Sequence, residues 1–159
     1  MPEIYIKIGV IVEDENGNIL LIKERVERDK PLAWNMIKGS YELSDGNLIE
    51  CAKRECLEEA GIEVQILGIH NMMFFRKQDK LKIQYNFVAK PMSKDVSLPN
   101  SRGVMIEGEN IQAVEWIEPE KITQMKPTEF VADYTLGILQ SWINTKKIYP
   151  LDILVDIKV

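Results

Sequence analysis

The chain has 159 residues, 45% hydrophobic and 28% charged, with twenty Lys and Arg against twenty-five Asp and Glu for a net charge of −5. That length supports one domain, about 1–159, with a core that needs no staples. The acidic balance excludes a broad nucleic-acid or membrane surface, though not a small phosphorylated ligand held by a metal. No apolar run approaches the roughly 20 residues needed to span a bilayer, and MPEIYIKIGV lacks a signal peptide's basic start and cleavage site, so a cytoplasmic protein is expected.

Ile4, Ile6, Ile8 and Val10 alternate with Glu3, Tyr5 and Lys7, which predicts a half-buried strand. EDENGN supplies an Asn16-Gly17 turn before the apolar run Ile19 to Ile22, a hairpin signal. A charged loop, KERVERDKP, leads to Trp34 and IKGSYELSDG. A helix is expected from Asn47, with Asn47 and Glu50 spaced as a capping box, through Ala60 to a stop at Gly61. Val64 to Phe75 and Leu81 to Ala89 read as two strands around RKQDK. From Lys90 to Glu109 the chain is irregular, with Pro91, Pro99, Gly103 and Gly108, and a loop of that length is usually functional or disordered. Ile111 to Ile117 reads as a further strand, and Thr128 to Thr145 as an amphipathic helix. Repeats and linkers are absent from the sequence.

Cys51 and Cys56 lie five residues apart and point about 140° away from each other on a helix, so they are read as reduced, partly buried thiols. With a single histidine, a zinc site is not expected.

The stretch RECLEEAGI crowds Glu55, Glu58 and Glu59 into five positions. Like charges three and four apart on a helix repel by a few tenths of a kcal/mol each. At ~100° per residue, Ile49, Ala52, Cys56 and Ala60 form the core-facing stripe, and the three carboxylates occupy the neighbouring arc. Unpaired charge beside an apolar face is costly. A hard divalent cation relieves that cost, because Mg²⁺ takes carboxylate oxygens and shares its other positions with water and phosphates. Arg54 is placed to brace a carboxylate with its fork of donors. A simply solvated acidic face is the other reading of this segment.

Gly39, Glu42, Asp45, Arg54, Glu55, Glu58, Glu59, Gly61 and Ile62 together resemble the box of the Nudix hydrolases, G-x5-E-x7-R-E-U-x-E-E-x-G-U, where U is a bulky aliphatic residue. Trp34 before the box and ENIQAVEWIEPEKI after it are similar to that family as well, and the resemblance covers roughly residues 4 to 125. Four departures stand out. Asp45 replaces Glu, eight residues rather than seven separate it from Arg54 so that Gly46 reads as an insertion, Cys56 replaces the aliphatic residue, and Lys38 precedes Gly39 where many members have a second glycine.

The resemblance implies an α/β fold, an α/β/α sandwich on a mixed sheet, and hydrolysis of the pyrophosphate linkage of a nucleoside diphosphate derivative. It implies Mg²⁺, with Mn²⁺ as a substitute, held by Glu58, Glu59 and Glu55 with a backbone carbonyl at Gly39 or Lys38. Glu55 is ligand or general base and Arg54 orients the glutamates. Glu109, with Glu107 second, is the candidate for a further carboxylate ligand. Lys23, Arg25 and Arg28 are candidates to meet phosphates; His70 reads as a strand residue, and Phe74, Phe75 and Tyr85 as core aromatics that could stack a base. The substrate stays open among nucleoside triphosphates, nucleotide sugars and dinucleotides. The alternative is a catalytically impaired Nudix-fold nucleotide-binding or regulatory module, motivated by Asp45 and Gly46.

Beyond the resemblance, IYPLDILVDIKV places Leu151, Ile153, Val155, Ile157 and Val159 in strict alternation after Pro150. An extra C-terminal strand at about 148–159 is therefore expected, covering a sheet edge and supporting a homodimer.

Overall fold

The computed structural model describes residues 3–103 and 110–157. Among these residues, seven strands form two sheets. They are β1 (Glu3–Val12), β2 (Ile19–Glu24), β3 (Ala33–Asn35), β4 (Ile37–Ser40), β5 (Val64–Lys77), β6 (Lys80–Pro91) and β7 (Ile111–Ile117). One sheet has the order β4-β1-β6-β5, and the other β3-β2-β7. β1 runs parallel to β6 and antiparallel to β4, so the larger sheet is mixed. The helices are α1 (Leu48–Ala60), α2 (Pro119–Gln124) and α3 (Tyr134–Thr145).

Two apolar clusters explain the layers. In one, Ile8 and Val10 of β1, Leu20 and Ile22 of β2 and Phe87 of β6 meet Cys51, Ala52, Cys56 and Ala60 of α1. In the other, Ile11, Leu21, Trp34, Met36 and Val88 meet Leu136, Ile138, Leu139 and Trp142 of α3. Helices thus cover both faces, the α/β/α arrangement the resemblance implies. A strand covered on both faces must be apolar throughout, and Ile19 to Ile22 are all fully buried.

The Asn16-Gly17 turn forms. Asp14 accepts the backbone N–H groups of Asn16 and Asn18 at 2.9 and 2.8 Å, and Gly17 takes φ 84°. The expected hairpin does not follow from it. β1 is hydrogen-bonded to β4 on one side and β6 on the other, so β2 joins the other sheet, and the turn is closed just past β1 by the Glu13–Ile19 bridge. The helix expected from Thr128 starts at Tyr134 instead. Phe130 is drawn into the core beside Trp34, and Val131 donates its N–H to the Trp34 carbonyl at 2.9 Å, which holds that segment extended.

Among the described residues, the extra C-terminal strand is not formed. Tyr149 makes a single bridge to Ile69 on β5, after which Leu151–Ile153 is a 3-10 turn. Leu151 and Leu154 pack against the α1 cluster, and residues 153–156 line a cleft of about 490 Å³ with Tyr41, Tyr85 and residues 46–49. The turn after Pro150 takes every third residue to the core rather than every second. Val155 and Ile157 stay 76% and 74% exposed. The homodimer expectation rested on that strand. His70 is structural: it is buried, its ring nitrogens meet the Lys147 carbonyl at 2.7 Å and Ser141 Oγ at 3.0 Å, and Trp142 packs edge-on against it.

Candidate active site

The site is built where α1 crosses the edge strand β4. Asn47 caps the helix start, its Oδ1 accepting from the N–H groups of Ile49 and Glu50 at 3.0 and 2.9 Å. Gly61 closes the other end at φ 64°, the left-handed conformation that glycine adopts without strain. Arg102, from a 3-10 turn at Pro99–Arg102, donates to the carbonyls of Leu57 and Glu58 at 2.9 and 2.7 Å. The sequence reading missed Arg102. The available signal is that the last carbonyls of a helix need donors, but an arginine more than forty residues on cannot be assigned to them from spacing.

The acidic residues are more deeply placed than the helical arc suggested. Glu55 is 5% exposed and Glu59 1%, inside the core-facing stripe rather than beside it, and Glu58 is the one left half-exposed. Gly39 makes that burial possible. A Cβ there would overlap the Glu55 carboxylate, so the glycine at the box start lets β4 and the acid lie in direct contact. Lys38 donates its backbone N–H to Glu59 Oε2 at 3.0 Å. One short strand therefore seats both buried carboxylates.

Arg54 organises the outer side. Its Nε and Nη2 grip the two oxygens of Asp45 at 2.5 and 3.1 Å, Nη2 also donates to the Ser40 carbonyl at 3.0 Å, and Nη1 lies 2.8 Å from Glu55 and 3.0 Å from Glu58. The Arg54 hydrogen bonds pull the Asp45 carboxyl down to about 2, against its partial burial, and the same pairing raises Arg54 further above its usual range. Burial, helped by the Asp45 charge, pushes the Cys51 thiol up to about 12, and burial takes Cys56 well above its usual value, so neither thiol is a nucleophile at neutral pH.

The departures at Asp45 and Gly46 have a geometric explanation. A 3-10 turn at Leu43–Asp45 swings the shorter Asp45 onto Arg54, and Gly46 at φ 80° takes up the extra residue with open space around it. The inserted loop thus delivers its carboxylate to the arginine.

Among the described residues, no three acidic, cysteine or histidine side chains converge closely enough to hold a cation as they stand. The partners explain this: the Arg54 guanidinium lies against Glu55 and Glu58, and Lys38 holds Glu59. Glu109 and Glu107 lie outside the described residues. Arg25 and Arg28 have no hydrogen bond or ion pair to the box among the described residues; Arg28 is exposed, while Arg25 has a buried Nε without a partner. Lys23 sits over the Trp34 ring at 4.8 Å. Of the aromatics, Phe75 packs with Tyr134 at 4.7 Å and Tyr85 joins the α1 cluster, but Phe74 is 59% exposed rather than core. No described helix is long and apolar enough to cross a membrane.

The NUDIX domain model matches residues 5–136. The chain belongs to the Nudix family. Nudix hydrolases act on nucleoside-diphosphate-linked compounds and generally use a divalent cation, and as a member this chain is a pyrophosphohydrolase. Its fold is similar to that of a NUDIX hydrolase from Nitrosomonas europaea, with a TM-score of 0.77, 19% identity, and 99% of this chain and 98% of that one covered. It is also similar to a MutT protein from Methanosarcina mazei Go1, with a TM-score of 0.70, 22% identity and coverage of 92% and 97%. A third similar structure is the NUDIX domain of Shewanella oneidensis NrtR, solved with ADP ribose, at a TM-score of 0.69, 12% identity and coverage of 92% and 90%. None of the curated proteins matches the chain significantly.

Proposed function

We propose that this Nudix protein, as a single domain, is a Mg²⁺-dependent hydrolase that cleaves the pyrophosphate linkage of a small nucleotide-type molecule. The observation that carries the reading is the contact between Gly39 and the Glu55 carboxylate, which holds a buried acid against the strand edge together with Glu59. A helix face that was merely solvated would leave these acids in water. The donor set is all oxygen, and that is the chemistry of a hard cation.

Glu55, Glu58 and Glu59, with the Gly39 carbonyl and Glu109, are the residues that would hold it; Mn²⁺ is the expected substitute. When bound, the cation neutralises charge on the phosphate oxygens. Arg54, clamped by Asp45 and the Ser40 carbonyl, positions Glu55 and Glu58. Glu55 is assigned as ligand or as the base that accepts a proton from the attacking water. Arg25, with its unpartnered Nε, and Arg28 are assigned to substrate phosphates. The delivery of Asp45 onto Arg54 favours this reading over a nucleotide-binding module without turnover.

The experiment is a nucleotide panel with and without Mg²⁺, reading released phosphate or nucleotide, on the wild type and on Glu59→Gln. Glutamine keeps an acceptor for the Lys38 N–H but removes the charge. Turnover is expected to fall by two or more orders of magnitude, a barrier increase of about 2.7 kcal/mol or more, with the fold intact. Wild-type turnover of Glu59→Gln at limiting Mg²⁺ would remove the metal assignment.

A further inference from the structure

β1, β6 and β5 run on past the helix that covers them. Register sets Ile8, Tyr85 and Met72 in one row across the three strands, Ile6, Ile83 and Phe74 in the next, and Ile4, Leu81 and Arg76 in the outermost. Residues paired across strands share a face, and Ile8 and Tyr85 belong to the α1 cluster, so all three rows lie on the α1 side of the sheet. Among the described residues the cover thins beyond the first row. Ile8 is fully buried, whereas Ile4, Met72 and Phe74 are exposed and Ile6, Leu81 and Ile83 only partly buried. The opposite face is closed at this end: Lys82 lies over the Phe75 ring at 4.0 Å, and Lys38 and Lys82 both reach the Tyr134 ring, at 5.7 and 5.0 Å.

Strand alternation normally sends apolar side chains to the covered face, and here the apolar set meets water. The C-terminal tail extends the patch. Residues 153–156 meet Tyr85 in the cleft beside Asn47, and Ile153, Val155 and Ile157 stand exposed. The six exposed side chains leave on the order of 700 Å² open, above the ~300–600 Å² of the largest patch on a typical monomer and near the ~800 Å² that each partner buries in a standard interface. The charges at the two ends of the patch are opposite in sign. Arg76 stands in the outermost row, Asp152 and Asp156 in the tail beside the first, and none of them has an ion-pair partner among the described residues.

We propose that a second copy of this chain docks on this face, in a two-fold dimer. A two-fold contact sets residue i against j and j against i. With the axis along the Ile6–Ile83–Phe74 row, the outermost row of one copy lies opposite the tail of the other. The partner's Ile153 and Val155 then cover Ile4 and Leu81, the partner's Asp156 meets Arg76, and each contact occurs twice. Sheets packed face to face stand ~10 Å apart, the depth of two interdigitated layers of side chains. A membrane fits less well, since a chain of net charge −5 with acids in the patch is repelled by an anionic surface. The tail that the partner covers also seats Leu151 and Leu154 on the α1 cluster, so the second copy holds the tail against the helix that carries Glu55 and Glu59.

The test is sedimentation velocity on the full chain, from low to high micromolar concentration. It uses the wild type, Phe74→Glu, Val155→Asp, Arg76→Glu, Asp156→Arg and the double variant Arg76→Glu/Asp156→Arg. The wild type is expected to sediment as two copies of the 18.3 kDa chain. Phe74→Glu and Val155→Asp should each weaken the dimer by at least about thirtyfold, the effect of losing one hot-spot side chain. Each charge reversal alone should weaken it about tenfold, and the double variant should return to near wild-type affinity. All four positions are exposed, so circular dichroism should report an intact fold in the monomeric variants. Should Phe74→Glu fail to fold, the charge swap carries the decision. A wild type that is monomeric at every concentration, assembly that grows beyond two copies, a dimer indifferent to Phe74→Glu and Val155→Asp, or a double variant no tighter than the single reversals overturns the proposal.

Discussion

Replacing Gly39 with alanine tests the central contact directly. The backbone at Gly39 is not in the left-handed region, so alanine is conformationally acceptable there and the whole effect is steric. The new methyl overlaps the Glu55 carboxylate, a group 5% exposed that has little room to retreat. Overpacking of this kind costs about 1–3 kcal/mol. For a domain of this size that lowers the melting temperature by roughly 3–10 °C. Relief comes only by moving the acid, and a displacement of about 1 Å in a reacting constellation costs on the order of 100-fold in rate. Gly39→Ala should therefore lose both stability and turnover. Gly46→Ala is the control: at φ 80° with open space around it, it should cost about 1 kcal/mol of backbone strain and leave turnover near wild type. A double-mutant cycle isolates the contact. In a Glu55→Ala background the stability penalty of Gly39→Ala should largely vanish, measured by denaturant midpoints. If Gly39→Ala costs the same with and without the Glu55 carboxylate, or keeps wild-type turnover, the strand–acid contact is not what builds the site.

Two further outcomes follow from the clamp and the tail. Asp45→Asn should destabilise the fold at neutral pH by on the order of 1–2 kcal/mol, because the Asp45 carboxyl is held down to about 2 by Arg54, below its ordinary 3.8. A depressed carboxyl stabilises above its unfolded value and loses that contribution as pH falls. The gap between variant and wild type should thus shrink from about pH 4 toward pH 2, and a gap independent of pH in urea titrations would mean the ion pair contributes nothing. Truncation after Tyr149 removes Leu151 and Leu154 from the α1 cluster. It should lower the melting temperature by several degrees, at roughly 1 kcal/mol for each partly buried leucine. Light scattering on the same samples reads whether the exposed Val155 and Ile157 hold a second copy, and an unchanged melting temperature would refute the packing role.

The local elements were legible because their signals are local. Asn47 and Gly61 bracket α1 by satisfying or freeing backbone groups within a few residues, and Ile111 to Ile117 announces itself by composition. The Arg-Glu-Glu-Glu set was legible as well, since the spacing of Arg54, Glu55, Glu58 and Glu59 on one helix places them together whatever the rest of the chain does. Partner choice was not legible. The Asn16-Gly17 turn forms as its sequence requires, yet β1 and β2 part, because pairing is decided by which edges remain open after β4 and β6 have taken theirs. The tail alternates like a strand and instead turns, because a core position within reach of Leu151 and Leu154 outweighs intrinsic alternation. Tertiary structure alone decided that Glu55 and Glu59 are buried, that Arg102 holds the end of their helix, and that Lys38 and Lys82 meet on one ring. Helical and strand periods fix which residues share a face, while the depth of burial and the identity of the facing group depend on segments far away in sequence.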